Sequence, residues 1–544
     1  MTTADDHATG LDRPFHERVR RIVPGPLVVV STLVALLLLS PVAWVVIRAL
    51  EVDQARAVSL LLDADTIAIA VNSLVLVTVV TAGSVLVGVP LAFLTVQTDL
   101  PFRRFWTVVC ALPLVIPSYI GAFAFVSAFG PRGVVQNYLA PLGVTEVPAL
   151  FGLPGAALVL VLFTYPYVFL TTRASLLSFD GTVVEAARTL NHDRWAAFRR
   201  VTLPQITPGI AAGALLTALY TLADFGTPMI MRYDVFTRMI YVEYTNWNRG
   251  FAALLSILLL GMTAIILLTE SRINASREGA HVSAGSRRPG RVSLGRWRGP
   301  ALAFCGLVAL LGLALPVGIL LMWLFITAPG YVGGGFPFEF AHVFNSVFLS
   351  AAAAIAAVVL GIPVAYLSAR GEGWMSSLPE RSTYVGYAMP GIVLGISLVF
   401  LGLKYVNALY GTVVLLVFAY VVRFIPQAIG TVESAVLQVD PKHVEAARTM
   451  GDSTLRSFLR VELPQILPGV LSGAALVFLT TMKELPATLV LAPLDFEGTI
   501  VTYIWEVQEA GYYDQAAIPA LILVTVSALS MLLILRQERY HGTE

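Results

Sequence analysis

Twelve stretches of this chain are apolar over about twenty residues each, the length a helix needs to cross the hydrocarbon of a bilayer. They lie near 27–49, 67–96, 106–129, 155–173, 208–230 and 251–269, then near 301–327, 345–369, 384–403, 411–432, 468–491 and 516–536. Lipid offers no partner to a backbone N–H or C=O, so runs of this length must be helices that satisfy their own hydrogen bonds. Composition agrees. Of 544 residues, 57% are hydrophobic and only 13% charged, with mean hydropathy +0.79. That charged share is about half the roughly 25% of soluble proteins. A soluble enzyme, a disordered chain and a nucleic-acid binder are excluded, and an all-α polytopic membrane protein is predicted. The net charge of +1 gives no bulk preference for an anionic partner. Cys110 and Cys305 both fall in apolar runs and imply neither a disulfide framework nor a metal site. The first apolar run, about 23 residues, exceeds the apolar core of a cleaved signal peptide, so it reads as a retained first helix.

Basic residues set the expected orientation. Arg13, Arg18, Arg20 and Arg21 precede the first span and place the N-terminus in the cytoplasm. Strict alternation then puts Arg103, Arg104, Arg188, Arg194, Arg199, Arg200, Arg448, Arg456, Arg460, Arg536 and Arg539 inside. Acid-rich loops fall outside: Glu51, Asp53, Asp63 and Asp65 in one, Asp495, Glu497, Glu506, Glu509 and Asp514 in another. The loop with Arg232, Arg238 and Arg249 fits least well. Both termini are expected in the cytoplasm, and the chain in the plasma (inner) membrane.

Residues 271–300 carry seven arginines among Gly and Ser and read as a flexible basic cytoplasmic linker. The expected organisation is a cytoplasmic segment 1–26, a first six-span repeat 27–270, the linker 271–300, a second repeat 301–536 and a tail 537–544. The repeat is visible in the residues. Glu185-Ala-Ala-Arg-Thr189 recurs as Glu445-Ala-Ala-Arg-Thr449, and 184–215 matches 444–475 at 17 of 32 positions. Chance gives about two. Asn72-Ser73 recurs as Asn345-Ser346, Gly88-Val-Pro-Leu-Ala-Phe93 as Gly361-Ile-Pro-Val-Ala-Tyr366, and Pro113 is paired with Pro390. Six spans per repeat make the two halves parallel, able to face each other about an axis along the membrane normal with a pathway between them.

The best-matched stretch is a polar loop. Apolar spans resemble each other cheaply; a repeated polar loop more plausibly meets something specific. Thr182-Val-Val-Glu185 fits a capping box, and Asp440-Pro441 suits an N-cap followed by the first helical position. Asn191 and Gly451, six residues after each Glu, are suited to the left-handed turn that ends a helix. The alternative is a helical hairpin that only caps the bundle, with Glu185–Arg188 and Glu445–Arg448 as local pairs.

Glu-Ala-Ala, then Gly, then Leu-Pro at this spacing resembles the EAA loop of binding-protein-dependent ABC importer permeases. The resemblance implies a type I importer permease fold of about twelve transmembrane helices in two parallel six-helix repeats. It also implies that each loop is a coupling helix docking on an ATPase. Carried over by position, Glu185, Ala186, Ala187, Asn191, Leu203 and Pro204 form one coupling loop. Glu445, Ala446, Ala447, Gly451, Leu463 and Pro464 form the other. Asn191 departs from the family's Gly. Leu222-Ala-Asp-Phe-Gly-Thr-Pro228 and Met482-Lys-Glu-Leu-Pro-Ala-Thr-Leu-Val-Leu491 look like signatures of the fused two-repeat ferric-iron permeases, whose relatives carry thiamine or phosphonates.

Asp224 and Glu484 are also equivalent in the repeat. A carboxylate inside a span is expensive unless it faces a polar cavity or a partner. Two readings stand: both line a central pathway, or each caps a broken helix or pairs with a neighbour. The seven histidines show no ligand spacing, and no catalytic motif or metal site is expected. The three lysines, Lys404, Lys442 and Lys483, none after a glycine, leave no phosphate-binding Walker loop. ATP and Mg are therefore expected on a separate ABC ATPase dimer at the cytoplasmic face. An extracytoplasmic solute-binding protein and membrane lipid complete the expected partners. A proton-coupled secondary transporter is the rival class; it explains the repeat and the carboxylates but not the repeated polar loop.

Overall fold

The computed structural model describes residues 25–130, 150–178, 198–275, 292–326, 336–371, 374–493 and 496–540, with residues 133, 135–136, 141 and 143. Among these, every element is helical apart from an isolated bridge between Thr98 and Val292. The first half contains α1 (Gly25–Leu50), α2 (Gln54–Leu61), α3 (Ala64–Gln97), α4 (Arg103–Ala111), α5 (Ser118–Phe129) and α6 (Gly152–Leu177). It continues with α7 (Leu203–Ala223), α8 (Gly226–Ile230), α9 (Phe236–Thr245) and α10 (Arg249–Ala275). The second half contains α11 (Arg298–Ala309), α12 (Leu315–Met322), α13 (Phe340–Arg370), α14 (Trp374–Ala388), α15 (Gly391–Lys404) and α16 (Val413–Gln438). It ends with α17 (Pro441–Thr449), α18 (Thr454–Ser457), α19 (Leu463–Thr481), α20 (Pro486–Leu491), α21 (Ile500–Glu509) and α22 (Ala517–Tyr540).

Each expected span has its helix. Among the described residues nine helices are long and apolar enough to cross a membrane unbroken, and two further spans are bent pairs. The last, α22, has a shorter described apolar stretch, Ala517–Leu529. The third span of each half is not straight: the chain turns by 90° between Val115 and Ser118 and by 102° between Ala388 and Gly391. Pro117 and Pro390 stand at these corners, each in extended backbone just before the next helix. This corrects the pairing of Pro113 with Pro390. Pro117 lies 273 residues before Pro390, the same offset as Asn72 to Asn345, whereas Pro113 sits inside a short 3-10 turn, Leu112–Val115. Prolines inside spans release carbonyls, and side chains take them up: Ser40 donates to Leu37 O at 2.7 Å one turn before Pro41.

The first span of each repeat packs on the other repeat. α1 lies against α13, α14 and α15 of the second half as well as α10 of its own. Ser31 donates to Pro363 O at 3.0 Å, Ser397 to Pro41 O at 2.5 Å, and Lys404 pairs with Glu51. Conversely, α11 and α12 pack on α4 and α5 of the first half, where Trp323 Nε1 donates to Ser127 at 3.2 Å and Cys305 shares a buried apolar cluster with Cys110. The two halves are therefore interlocked.

The end of the linker is ordered as well, where a free tether is expected. Val292 N donates to Gln97 O at 2.8 Å and Asp99 N to Val292 O at 3.1 Å. The Asp99 carboxylate accepts from Leu294 N at 2.8 Å and from Arg298 at 2.7 Å. The Leu294 N–H and then the guanidinium hold its carboxyl below the usual aspartate range.

Candidate functional site

The second copy of the repeated polar loop lies within the described residues. The Asp440 carboxylate accepts from Lys442 N at 3.0 Å, and Pro441, which has no N–H to satisfy, stands in the first turn of α17. The helix stops at Gly451, whose φ is +99°. Gly451 N donates to Arg448 O at 3.0 Å and Asp452 N to Ala447 O at 3.2 Å, the paired bonds of a Schellman stop. Glu445 and Ala446 are exposed while Ala447 faces inward. Met450, Leu455 and Leu459 are 82%, 67% and 50% exposed, an apolar surface beside the exposed Lys442, Arg448, Arg456 and Arg460. Leu463 and Pro464 open α19 as Leu203 and Pro204 open α7, and a π-turn precedes each pair, Phe458–Glu462 and Phe198–Thr202. Glu185, Ala186, Ala187 and Asn191 lie outside the described residues.

An ion pair with a buried carboxylate ties this loop to the bundle. Arg370, the last residue of α13, donates to Val436 O and Val439 O at the end of α16, both at 3.0 Å, and to Glu462 in the π-turn at 3.2 Å. Glu462 is fully buried, and the Tyr366 ring of α13 meets Phe458 edge-on at 5.8 Å. The corresponding first-half positions hold Gln97 and Thr202.

Deeper in the molecule, the fifth span of each half breaks at its carboxylate. Asp224 ends α7. One of its oxygens accepts from Ser118 at 2.5 Å and the other from Thr227 N in α8 at 3.0 Å. Glu484 follows α19 and accepts from Arg423 at 2.9 Å and from Ala487 N in α20 at 3.2 Å. Both carboxylates thus cap the short helix that follows them, three residues on. Gly391 makes room for the ion pair; a Cβ there would lie 1.9 Å from the Arg423 guanidinium. Its first-half counterpart is Ser118, the residue that bonds Asp224.

The repeated Asn-Ser pair has a structural role. The Asn72 amide donates to Asp234 O at 3.0 Å and Asn345 to Gly498 O at 2.9 Å. Ser73 accepts from Phe236 N at 3.1 Å and Ser346 from Ile500 N at 2.8 Å. Each pair pins the helix that follows the break, α9 or α21. The sequence repeats Asn-Ser because the second span must hold that helix in both halves.

The two breaks meet between the halves. Arg423 lies within electrostatic reach of Asp224 and Tyr220, Tyr119 within reach of Glu484, and Phe225 stacks obliquely on Trp505 at 5.4 Å. Tyr167, Tyr220, Asp224, Arg423 and Lys483 are each partly exposed. Glu484, at 5% exposure, is buried and paired with Arg423. Sequence reasoning missed Arg423, Ser118 and the Arg370–Glu462 tie. The signal for Arg423 was present: it is a charge in the middle of an apolar run, and such a charge requires a partner.

The pattern of one family, described as "Binding-protein-dependent transport system inner membrane component", matches residues 84–270 and again 357–540. The chain is 29% identical over 94% of its length, and 98% of the relative's, to the Fe(3+)-transport system permease protein FbpB 2 of Haemophilus influenzae. It is 23% identical to the ferric transport system permease protein FbpB of Actinobacillus pleuropneumoniae, over 77% of this chain and 64% of that one. It is also 23% identical to the sulfate transport system permease protein CysT of Escherichia coli, over 48% of this chain and 97% of the relative.

Proposed function

The chain belongs to the binding-protein-dependent transport system inner membrane components, and from that premise we propose that it is the permease of an ATP-driven importer whose cargo is ferric iron. Both six-span halves sit on one polypeptide, and the family pattern occurs once in each. The iron assignment draws on the similarity that runs nearly end to end with the Haemophilus protein. The chain supplies the path and the mechanical coupling. Hydrolysis belongs to a separate ATPase dimer carrying ATP and Mg, and selection to an extracytoplasmic solute-binding protein. The chain resides in the plasma (inner) membrane with both termini in the cytoplasm.

The observation that carries the coupling role is α17. It is a short, doubly capped helix at one end of the bundle, with exposed apolar side chains beside it, and it packs on the π-turn whose Glu462 pairs with Arg370. A helix that only closed its own bundle would turn Met450 and Leu455 inward. Closure of the ATPase dimer draws this helix and its first-half counterpart at 185–204 together. The Arg370–Glu462 tie passes the displacement to the ends of α13 and α16, and through them to the helix breaks. Transport is a shift between two packings of the same halves. Asp224, with Tyr220 and Arg423, faces the path at the break.

Purification of the chain with its ATPase, before and after Glu185→Ala with Glu445→Ala, tests the coupling. The double substitution is expected to abolish co-purification and ATP-dependent uptake of ferric iron into vesicles. Uptake that continues without any ATPase sinks the proposal and restores the proton-coupled alternative.

A further inference from the structure

Resting on the pathway reading above, we propose that Lys483 is an anion contact in the path, and that the cargo crosses as an oxygen-rich anion or an anion-sheathed ion, not as a bare cation. The carboxylates are already engaged. Asp224 accepts from Ser118 and Thr227 N, and Glu484 from Arg423 and Ala487 N. Among the described residues no three His, Cys, Asp or Glu side chains converge as a metal would require. A bare trivalent ion favours hard, anionic oxygen ligands, and the two carboxylates at the breaks are already bonded. Lys483 is placed oppositely. Its ammonium is deep in the molecule, remains partly exposed, and has no hydrogen-bond or ion-pair partner among the described residues.

Neighbouring residues give its direction. Thr480, one turn earlier, donates to Gln427 Oε1 at 3.1 Å, and Gln427 lies one turn from Arg423 on α16. Lys483 follows Thr480 by three residues and, like Gln427 and Arg423, is partly exposed. Its first-half counterpart is Ala223, so the ammonium belongs to one side of the path only. An unpaired ammonium at this depth is expensive to keep dry and is stabilised by a passing anion. A free oxyanion and an oxyanion bound around a ferric ion present the same chemistry to it.

The test uses the full importer, with its ATPase and receptor, in vesicles. Uptake is followed for labelled ferric ion supplied with labelled phosphate, and separately for sulfate and for molybdate. Lys483→Gln is expected to lower the maximal rate of uptake about tenfold, the scale of one lost charge-assisted hydrogen bond. Lys483→Arg retains uptake and Lys483→Glu loses it further, an order that a merely structural lysine does not produce. Ferric ion entering together with phosphate, in a Lys483-dependent way, supports both the inference and the iron assignment. Lys483-dependent sulfate or molybdate uptake without iron supports the inference and removes the iron assignment. Iron entering without phosphate, at a rate unchanged in Lys483→Gln and Lys483→Glu, overturns the inference and leaves the iron assignment standing.

Discussion

At the helix break of the first half, a carboxylate is held by a hydroxyl and a backbone N–H. At the same place in the second half, a carboxylate is held by a guanidinium and a backbone N–H. The backbone N–H bond is common to both, and the partner is not. The turn itself is therefore what the repeat preserves, because an interrupted helix in lipid must satisfy its freed N–H groups. The side-chain partner varies with the room beside it: Ser118 or Gly391 on the bent helix, Phe163 or Arg423 on the fourth span. The same substitution of ionic for neutral recurs at the end of the bundle that carries α17, where Gln97 and Thr202 of the first half stand where Arg370 and Glu462 pair in the second. The second half is built around two ion pairs, each a buried carboxylate with a partly exposed arginine, that the first half lacks at the equivalent positions.

The largest effect is expected at Arg423. Arg423→Ala leaves Glu484 charged and alone in the interior, which costs about 3–5 kcal/mol. The thermal midpoint of the purified protein should fall by many degrees. Arg423→Phe with Glu484→Asp and Gly391→Ser copies the first-half arrangement and should recover most of that loss. If it recovers nothing, the two breaks are not interchangeable and the comparison fails. Next is Glu462→Thr. Arg370 keeps its two carbonyl bonds, so the loss is about 2 kcal/mol, a charge-assisted hydrogen bond. Adding Arg370→Gln, which recreates the Gln97 and Thr202 pair, should return part of it, and ATPase co-purification across the series reads whether coupling follows stability. Ser118→Ala removes one neutral donor from Asp224 and is expected to cost about 1 kcal/mol, visible as a small shift in the same melting curve.

The smallest effect concerns the exposed Asp99 clasp, found on the first half's side. Its carboxyl is held below its ordinary value of 3.8, so its contribution is complete above that pH and is lost as pH falls through the lower, folded-state value. Protease cleavage of the linker near Val292 should be unchanged from pH 7 to pH 5 and should rise only as pH falls below the ordinary value of 3.8, whereas Asp99→Asn should show the faster cleavage already at pH 7. A clasp that opens between pH 7 and pH 5 would contradict the assignment to Asp99.

Much of this was legible before any coordinates. The spans were readable because lipid leaves a long apolar run no choice but helix. The ends of α17 were readable because Asp440-Pro441 and Gly451 act through bonds to residues two to five positions away. What failed to show was long-range. The corner at Pro117 was misassigned because the repeat does not run at one spacing: Asn72 and Asn345 are 273 apart, Glu185 and Glu445 only 260. Arg423 was visible as a charge, but its partner sits 61 residues away, and no local rule selects it. The interlocking of the halves left no mark in the sequence, since an apolar helix suited to lipid fits one neighbour's apolar face as readily as another's.

That interlocking has a consequence for how the protein is made. The bonds from α1 to the second half join residues 332 and 356 positions apart. At translation rates of about 5–20 residues per second, α1 waits in the bilayer for roughly 20–70 s before its neighbours emerge from the ribosome. Until then the Pro41 carbonyl that Ser397 will occupy faces lipid or whatever insertase shelters the nascent chain. Until α15 arrives, the first helix has yet to find its seat, and a chain that stops short of Ser397 never closes that contact.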